Sequence, residues 1–299
     1  MPNWSEILVE IQQEQAQHPN ANPLDTVRRK YLQKVTEISG RNAIAYYSGW
    51  LQKPQVHGTS VNDKDKSGFM LTIHKLDRTK GLDLILHTPG GDIAATESLV
   101  DYLYAMFGCD IRVIVPQISM SAGTMIAMAA KEIVMGKHSN LGPIDPQIGG
   151  VACQAILNEF QHAKDDIRQN PHAAPLWQVI VGKYHPTFLG MCRQAIEWSE
   201  EITCKWLKNN MCKGDAEKAN SIIKAFANHT EQKSHARHIS KEQCKSVGLN
   251  ISDLEANPDF QDAILTTHHA FMHTFTNTFC VKIIENHNGT AYIEQVSAR

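Results

Sequence analysis

The spacing of apolar residues changes character along this chain. From residue 4 to residue 39, Leu8, Ile11, Leu24, Val27, Tyr31 and Val35 recur at helical intervals within their segments, with a break at Pro23 and a stop at Gly40. Short unbroken apolar runs then take over, and residues 43–47, 83–87, 111–115 and 132–135 read as strands buried on both faces. Between them, residues 94–107 place Leu99, Leu103 and Phe107 on one helical face, and the small residues of 122–130 suit a helix pressed close to a sheet. Residues 69–73 fit either a strand or a short helix.

Beyond Val151 the period becomes helical up to Lys233. Ile156, Phe160, Ala163 and Ile167 form one stripe, Phe188, Cys192, Ala195, Ile202 and Trp206 a second, and Ala219, Ile222 and Phe226 a third. Ser240 and Gln243 have capping-box spacing at the start of a short helix over 241–247. Asn257 and Pro258 open a longer helix, and the Asn288-Gly289 turn joins two terminal strands. These patterns divide the chain into an N-terminal helical segment (1–42), an α/β core (43–150), a helical insertion or lid (151–233) and a C-terminal part (234–299).

The composition adds exclusions. With 42% hydrophobic residues in 299 there is enough apolar surface for a large core, and 29 basic against 31 acidic side chains leave no global field to recruit nucleic acid. No apolar run reaches the roughly 18 residues of a membrane span, and the first residues lack a secretory pattern, so a cytoplasmic protein without stable membrane insertion is expected. The 7 cysteines form no Cys-x-x-Cys pair and read as reduced, buried small residues. Asp63-x-Asp65-x-Ser67-Gly68 imitates the opening of a calcium loop but has His74 where the last ligand, a glutamate, belongs. His269 and His273 stand one turn apart with no third ligand in sight, so no metal is expected. Trp177, Trp198 and Trp206 fall on helical stripes and read as packing residues of the insertion or of an oligomer contact.

Candidate chemistry sits at two turns, each following a buried strand and preceding a helix: Pro89-Gly90-Gly91 and Met120-Ser121-Ala122-Gly123. Turns at the carboxyl ends of parallel strands share one sheet edge, where α/β folds build their sites. A serine where strand turns into helix exposes its hydroxyl beside unpaired amides. The Ala122 amide is one natural oxyanion donor. The diglycine bend, free of Cβ atoms, brings the Gly91 amide forward as the other.

Three stretches together resemble the serine dehydrogenase proteinase family of the Clp protease and crotonase superfamily, related to signal peptide peptidase A. They are residues 82–91, ending in His87-Thr88-Pro89-Gly90-Gly91; residues 120–135, beginning Met120-Ser121-Ala122-Gly123-Thr124; and Leu141-Gly142-Pro143-Ile144-Asp145-Pro146-Gln147. Weaker likeness extends to Gly40-Arg41-Asn42 and to residues 234–239. The resemblance implies an α/β fold of Clp/crotonase type, a β-β-α superhelix with N-terminal helices and a helical insertion. It also implies homo-oligomeric rings or stacks, and serine endopeptidase chemistry that is ATP-independent in itself and uses no cofactor. The implied triad is Ser121, Asp145 and His235. Where the family has a proline ahead of the short helix this chain has His238, which leaves His238 open as an alternative base.

Two further bases stay open. Signal peptide peptidases use a lysine, for which Lys164 is the candidate although Asp165 and Asp166 mark its helix face as charged, and His138 lies between Ser121 and Asp145. The expected activity is hydrolysis of peptide or protein substrates. A crotonase-type acyl-thioester enzyme and an inactive ring-forming scaffold are the alternatives.

Overall fold

The computed structural model describes residues 4–227 and 234–296. Five strands of its central sheet run parallel: β1 (Asn42–Ser48), β2 (Leu82–His87), β3 (Ile111–Val115), β5 (Glu132–Met135) and β10 (Ile251–Asp253). The terminal hairpin, β11 (Cys280–Asn286) and β12 (Ala291–Gln295), adds antiparallel to β1. The strand order across the sheet is β10-β5-β3-β2-β1-β11-β12.

Alternate residues of the same strands feed two cores, as strands covered on both sides must. Ile44, Tyr46, Leu84, Leu86, Val113 and Val115 face α3 (Lys64–Ile73), α4 (Ile93–Phe107), α5 (Ala122–Met128), α8 (Phe188–Asn209) and α9 (Ala216–Ala227). Ala43, Ala45, Tyr47, Ile85 and Ile114 face α2 (Pro23–Ser39) and α11 (Pro258–Asn277). Asn22 caps α2 through its side chain, Asn257 caps α11, and both bonds of the Ser240 capping box form at the start of α10 (Lys241–Ser246). Among the described residues, no helix is long and apolar enough to cross a membrane.

Several expectations need correction. The buried face of α1 (Trp4–Gln17) is Ile7 and Ile11, while Leu8 is exposed. Residues 69–73 belong to helix α3, whose buried positions 65, 68, 69, 72 and 73 keep a helical period that the apolar run hides. There Gly68 lets the helix touch the hairpin, since a Cβ would stand 2.6 Å from Ile284 Cδ1. The calcium-like segment is part of that helix, and Asp65 is buried against Lys282. Val151 and Ala152 form β8, paired with β7 (Gln147–Ile148), before the helices α6 (Cys153–Gln169) and α7 (Ala174–Val181) begin. The last six residues of the expected helical stretch, 228–233, lie outside the described residues. Of the cysteines, Cys109 is exposed and Cys204 half-buried, and all seven are free thiols.

Candidate active site

A ladder of very short pairings extends from the carboxyl end of the large sheet. Val61 bridges Gly91, Thr88 bridges Ser119, β4 (Ile118–Ser119) pairs parallel to β6 (Asn140–Leu141), and β6 pairs antiparallel to β9 (Ile239–Ser240). This ladder brings together residues far apart in sequence. Leu141 stands opposite Ile239, and the segments that lead away from this pair carry Asp145 and His235. Their side chains meet, with His235 Nδ1 2.8 Å from Asp145 Oδ1. The carboxylate is buried and its other oxygen, Oδ2, makes no hydrogen bond among the described residues.

Ser121 occupies a sharp corner. Its φ of 51° and ψ of −119°, with Gly123 N–H donating to Met120 C=O at 2.8 Å, are those of the first central residue of a type II′ turn. The turn leads directly into α5, yet the Ser121 hydroxyl makes no capping bond to that helix. It is therefore not consumed by a structural role. Thr124 hydroxyl donates to Ser119 C=O at 3.0 Å and accepts from Gly142 N–H at 3.0 Å, so β4, the corner and the segment leading to Asp145 are tied to one side chain.

The two glycines of the bend serve different contacts. A Cβ on Gly90 would stand 2.6 Å from Met120 C=O, 2.7 Å from Ser121 Cβ and 2.8 Å from the Ala122 nitrogen, so the bend lies directly on the serine corner. A Cβ on Gly91 would stand 2.3 Å from the Val61 carbonyl oxygen. Val61 N–H donates to Gly90 C=O at 2.8 Å and Asp92 N–H donates to Val61 C=O at 2.9 Å. A trans peptide points its C=O and N–H in opposite directions, so the Gly91 N–H faces away from Val61.

Ser121, Ala122, Gly90, Gly91 and His235 line one cleft of about 690 Å³. Its far wall comes from α8, through Met191, Ala195 and Trp198, with Met125, Ile144 and Ile148 completing an apolar surround. Asp92 and His235 are the ionisable residues of the lining, and the Asp92 carboxylate is engaged in capping α4 through the Ala95 amide at 2.8 Å. Beneath the bend, His87 is fully buried among Tyr47, Trp50 and His268, and burial lowers its pKa to about 3.

The other sequence candidates fall outside this cleft. Lys164 is exposed on α6, His138 is exposed and folded back over Gly136, and His238 is exposed. None of the three is among the residues lining the cleft. His273 is occupied at the amino-terminal helix, with Nε2 3.0 Å from the Trp4 carbonyl and its ring 3.7 Å from the indole. Trp198, read from sequence as a packing residue, stands at the cleft mouth, where its Nε1 donates to Glu97 at 3.0 Å. Val61 was equally hidden, and its one signal is an isolated apolar side chain in a polar loop.

The carboxyl edge of a parallel sheet thus carries a serine corner, a glycine bend and a paired histidine and aspartate. The chain belongs to the ClpP-like SDH-type serine proteinase family, whose model matches residues 24–259. It is also similar to two uncharacterized proteins of Methanocaldococcus jannaschii. One is 30% identical over 192 residues, which is 64% of this chain and 60% of that protein. The other is 29% identical over 192 residues, 64% of this chain and 59% of that protein. The match thus spans about three fifths of each relative's length.

Proposed function

We propose that this chain is a serine peptidase in which Ser121 Oγ attacks the carbonyl carbon of a peptide bond. His235 Nε2 takes the hydroxyl proton, and Asp145 holds the ring through Nδ1 and stabilises the imidazolium that forms. The oxyanion is received by the Gly91 and Ala122 N–H groups. As the tetrahedral intermediate collapses, His235 returns the proton to the departing amine. Water then attacks the acyl-enzyme ester with His235 again as base. The apolar cleft suits an uncharged peptide side chain, and assembly into a homo-oligomer accords with the family.

One observation carries this reading: the glycine bend touches the serine corner while His235, held by the buried Asp145, opens into the same cleft. An acyl-thioester enzyme that stabilises an enolate has need of the two amides but no need of a histidine held by a buried aspartate. A fluorophosphonate probe tests the proposal. Labelling mapped to Ser121, with labelling and peptide hydrolysis both lost in Ser121→Ala while the thermal transition persists, is the expected result. A purified Ser121→Ala protein that still hydrolyses peptides removes the serine from the mechanism.

A further inference from the structure

Lys282 lies on β11, well away from the serine corner in sequence, and its side chain is completely buried. Its ammonium donates to Asp65 Oδ1 at 2.7 Å and to Ser60 C=O at 2.7 Å. The other oxygen of Asp65 accepts the Tyr46 hydroxyl at 2.7 Å and the Asn62 N–H at 2.9 Å. The two charges therefore grip the chain on either side of Val61. Exchanging a buried ion pair for apolar residues of similar volume is often neutral or stabilising, so stability alone gives no reason for these charges.

Their position relative to the bend gives one. The ammonium holds Ser60 C=O, the same peptide unit presents Val61 N–H to Gly90 C=O, and that next unit ends in the Gly91 N–H directed away from Val61. Two peptide dipoles thus stand head to tail, each with its negative end toward Lys282 and its positive end toward the cleft. Each bond in such a chain polarises the next, more effectively in a water-free interior. The carboxylate acts on a separate chain of opposite sense: Asp65 holds Asn62 N–H, and Val61 C=O on that peptide unit accepts Asp92 N–H at the start of α4.

We infer that Lys282 is a positioning residue that orients and polarises the Gly91 amide through the Ser60–Val61 and Gly90–Gly91 peptides, with Asp65 locking the same segment from the other side. This rests on the peptidase reading only for its catalytic consequence; the relay itself is a property of the resting chain.

The test compares the full-length parent with Lys282→Met and with the charge-neutral pair Asp65→Asn/Lys282→Met. Without substrate, the amide proton of Gly91 in nitrogen–proton correlation spectra is expected to move upfield in both variants, and the parent is expected to show through-hydrogen-bond coupling between Val61 N and the Gly90 carbonyl carbon. An unmoved Gly91 resonance in a folded variant, or no such coupling in the parent, overturns the relay. In turnover, kcat per site titrated by fluorophosphonate is expected to fall about 10- to 100-fold with KM nearly unchanged, since a weakened oxyanion donor acts on the transition state. A merely structural role would lower the number of titratable sites and leave kcat per site intact, which also overturns the inference. A parent that takes up no probe sinks the peptidase reading instead, and the resonance of Gly91 still decides the relay.

Discussion

The large sheet and the small ladder at its carboxyl end use the same backbone hydrogen bonds to different ends. In the large sheet, β1 and β11 pair over five registered positions and bury side chains into a core on each face. In the ladder, β4, β6 and β9 are two residues each, and Val61 and Thr88 contribute single bridges. The first arrangement draws stability from apolar burial. The second adds only a few side chains to that core, Val61, Leu141 and Ile239 among them, and gives position, setting Gly91, Ser121 and His235 around one cleft with Asp145 behind the histidine. Most of the apolar burial and the proposed chemistry therefore reside in different layers, joined where strands end.

Substitutions that hit one layer and spare the other sharpen this contrast. His235→Gln keeps a side-chain donor for the buried Asp145 and removes the base, so peptide turnover is expected to fall about 10⁴-fold with the thermal transition close to that of the parent. Steady-state kinetics beside calorimetry checks it, and a matching loss of stability would break the distinction. Leu84→Ala is its mirror image. Removing that fully buried side chain should cost about 3–5 kcal/mol in denaturant unfolding while turnover per titrated site stays at the parent value. Gly91→Ala sets a Cβ against the Val61 carbonyl, forcing the bend away from its partner, and about 100-fold of kcat should go with it.

The effect that is smallest per unit step of the variable concerns pH. His87 is neutral in the folded chain down to about pH 3 but titrates near 6.5 once unfolded, so below pH 6.5 the unfolded state binds the extra proton. This group then withdraws stability as pH falls through the window from 6.5 to about 3, at about 1.4 kcal/mol per pH unit, and contributes no slope above it. His87→Leu should flatten the acid side of the stability profile by about that slope, as measured by denaturant midpoints at successive pH values. An unchanged profile would mean that the ring leaves its buried site before it takes up a proton.

Much of the large sheet was legible because unbroken apolar runs such as Val113-Ile114-Val115 admit few other structures, and the capped starts of α10 and α11 were written in Ser240, Gln243, Asn257 and Pro258. The serine corner and the diglycine bend were legible as well, since both are local turns. The pairing that joins Asp145 to His235 was out of reach of periodicity, because a two-residue strand has none. It entered only through likeness to a family. Val61 and Lys282 escaped for another reason: their importance lies in backbone groups they hold rather than in their own chemistry. Helix α3 was ambiguous because Met70 and Leu71 are apolar yet exposed, which blurred its face.

The backbone at Ser121 carries an evolutionary consequence. An L-residue resists φ of 51°, at a cost of order 1–3 kcal/mol, whereas glycine is at home there. Random drift through Ser121→Gly would thus relax the corner and remove the proposed nucleophile in a single replacement. A hydroxyl kept at such a place is a residue held uphill, and a lineage freed from selection for turnover should lose it early.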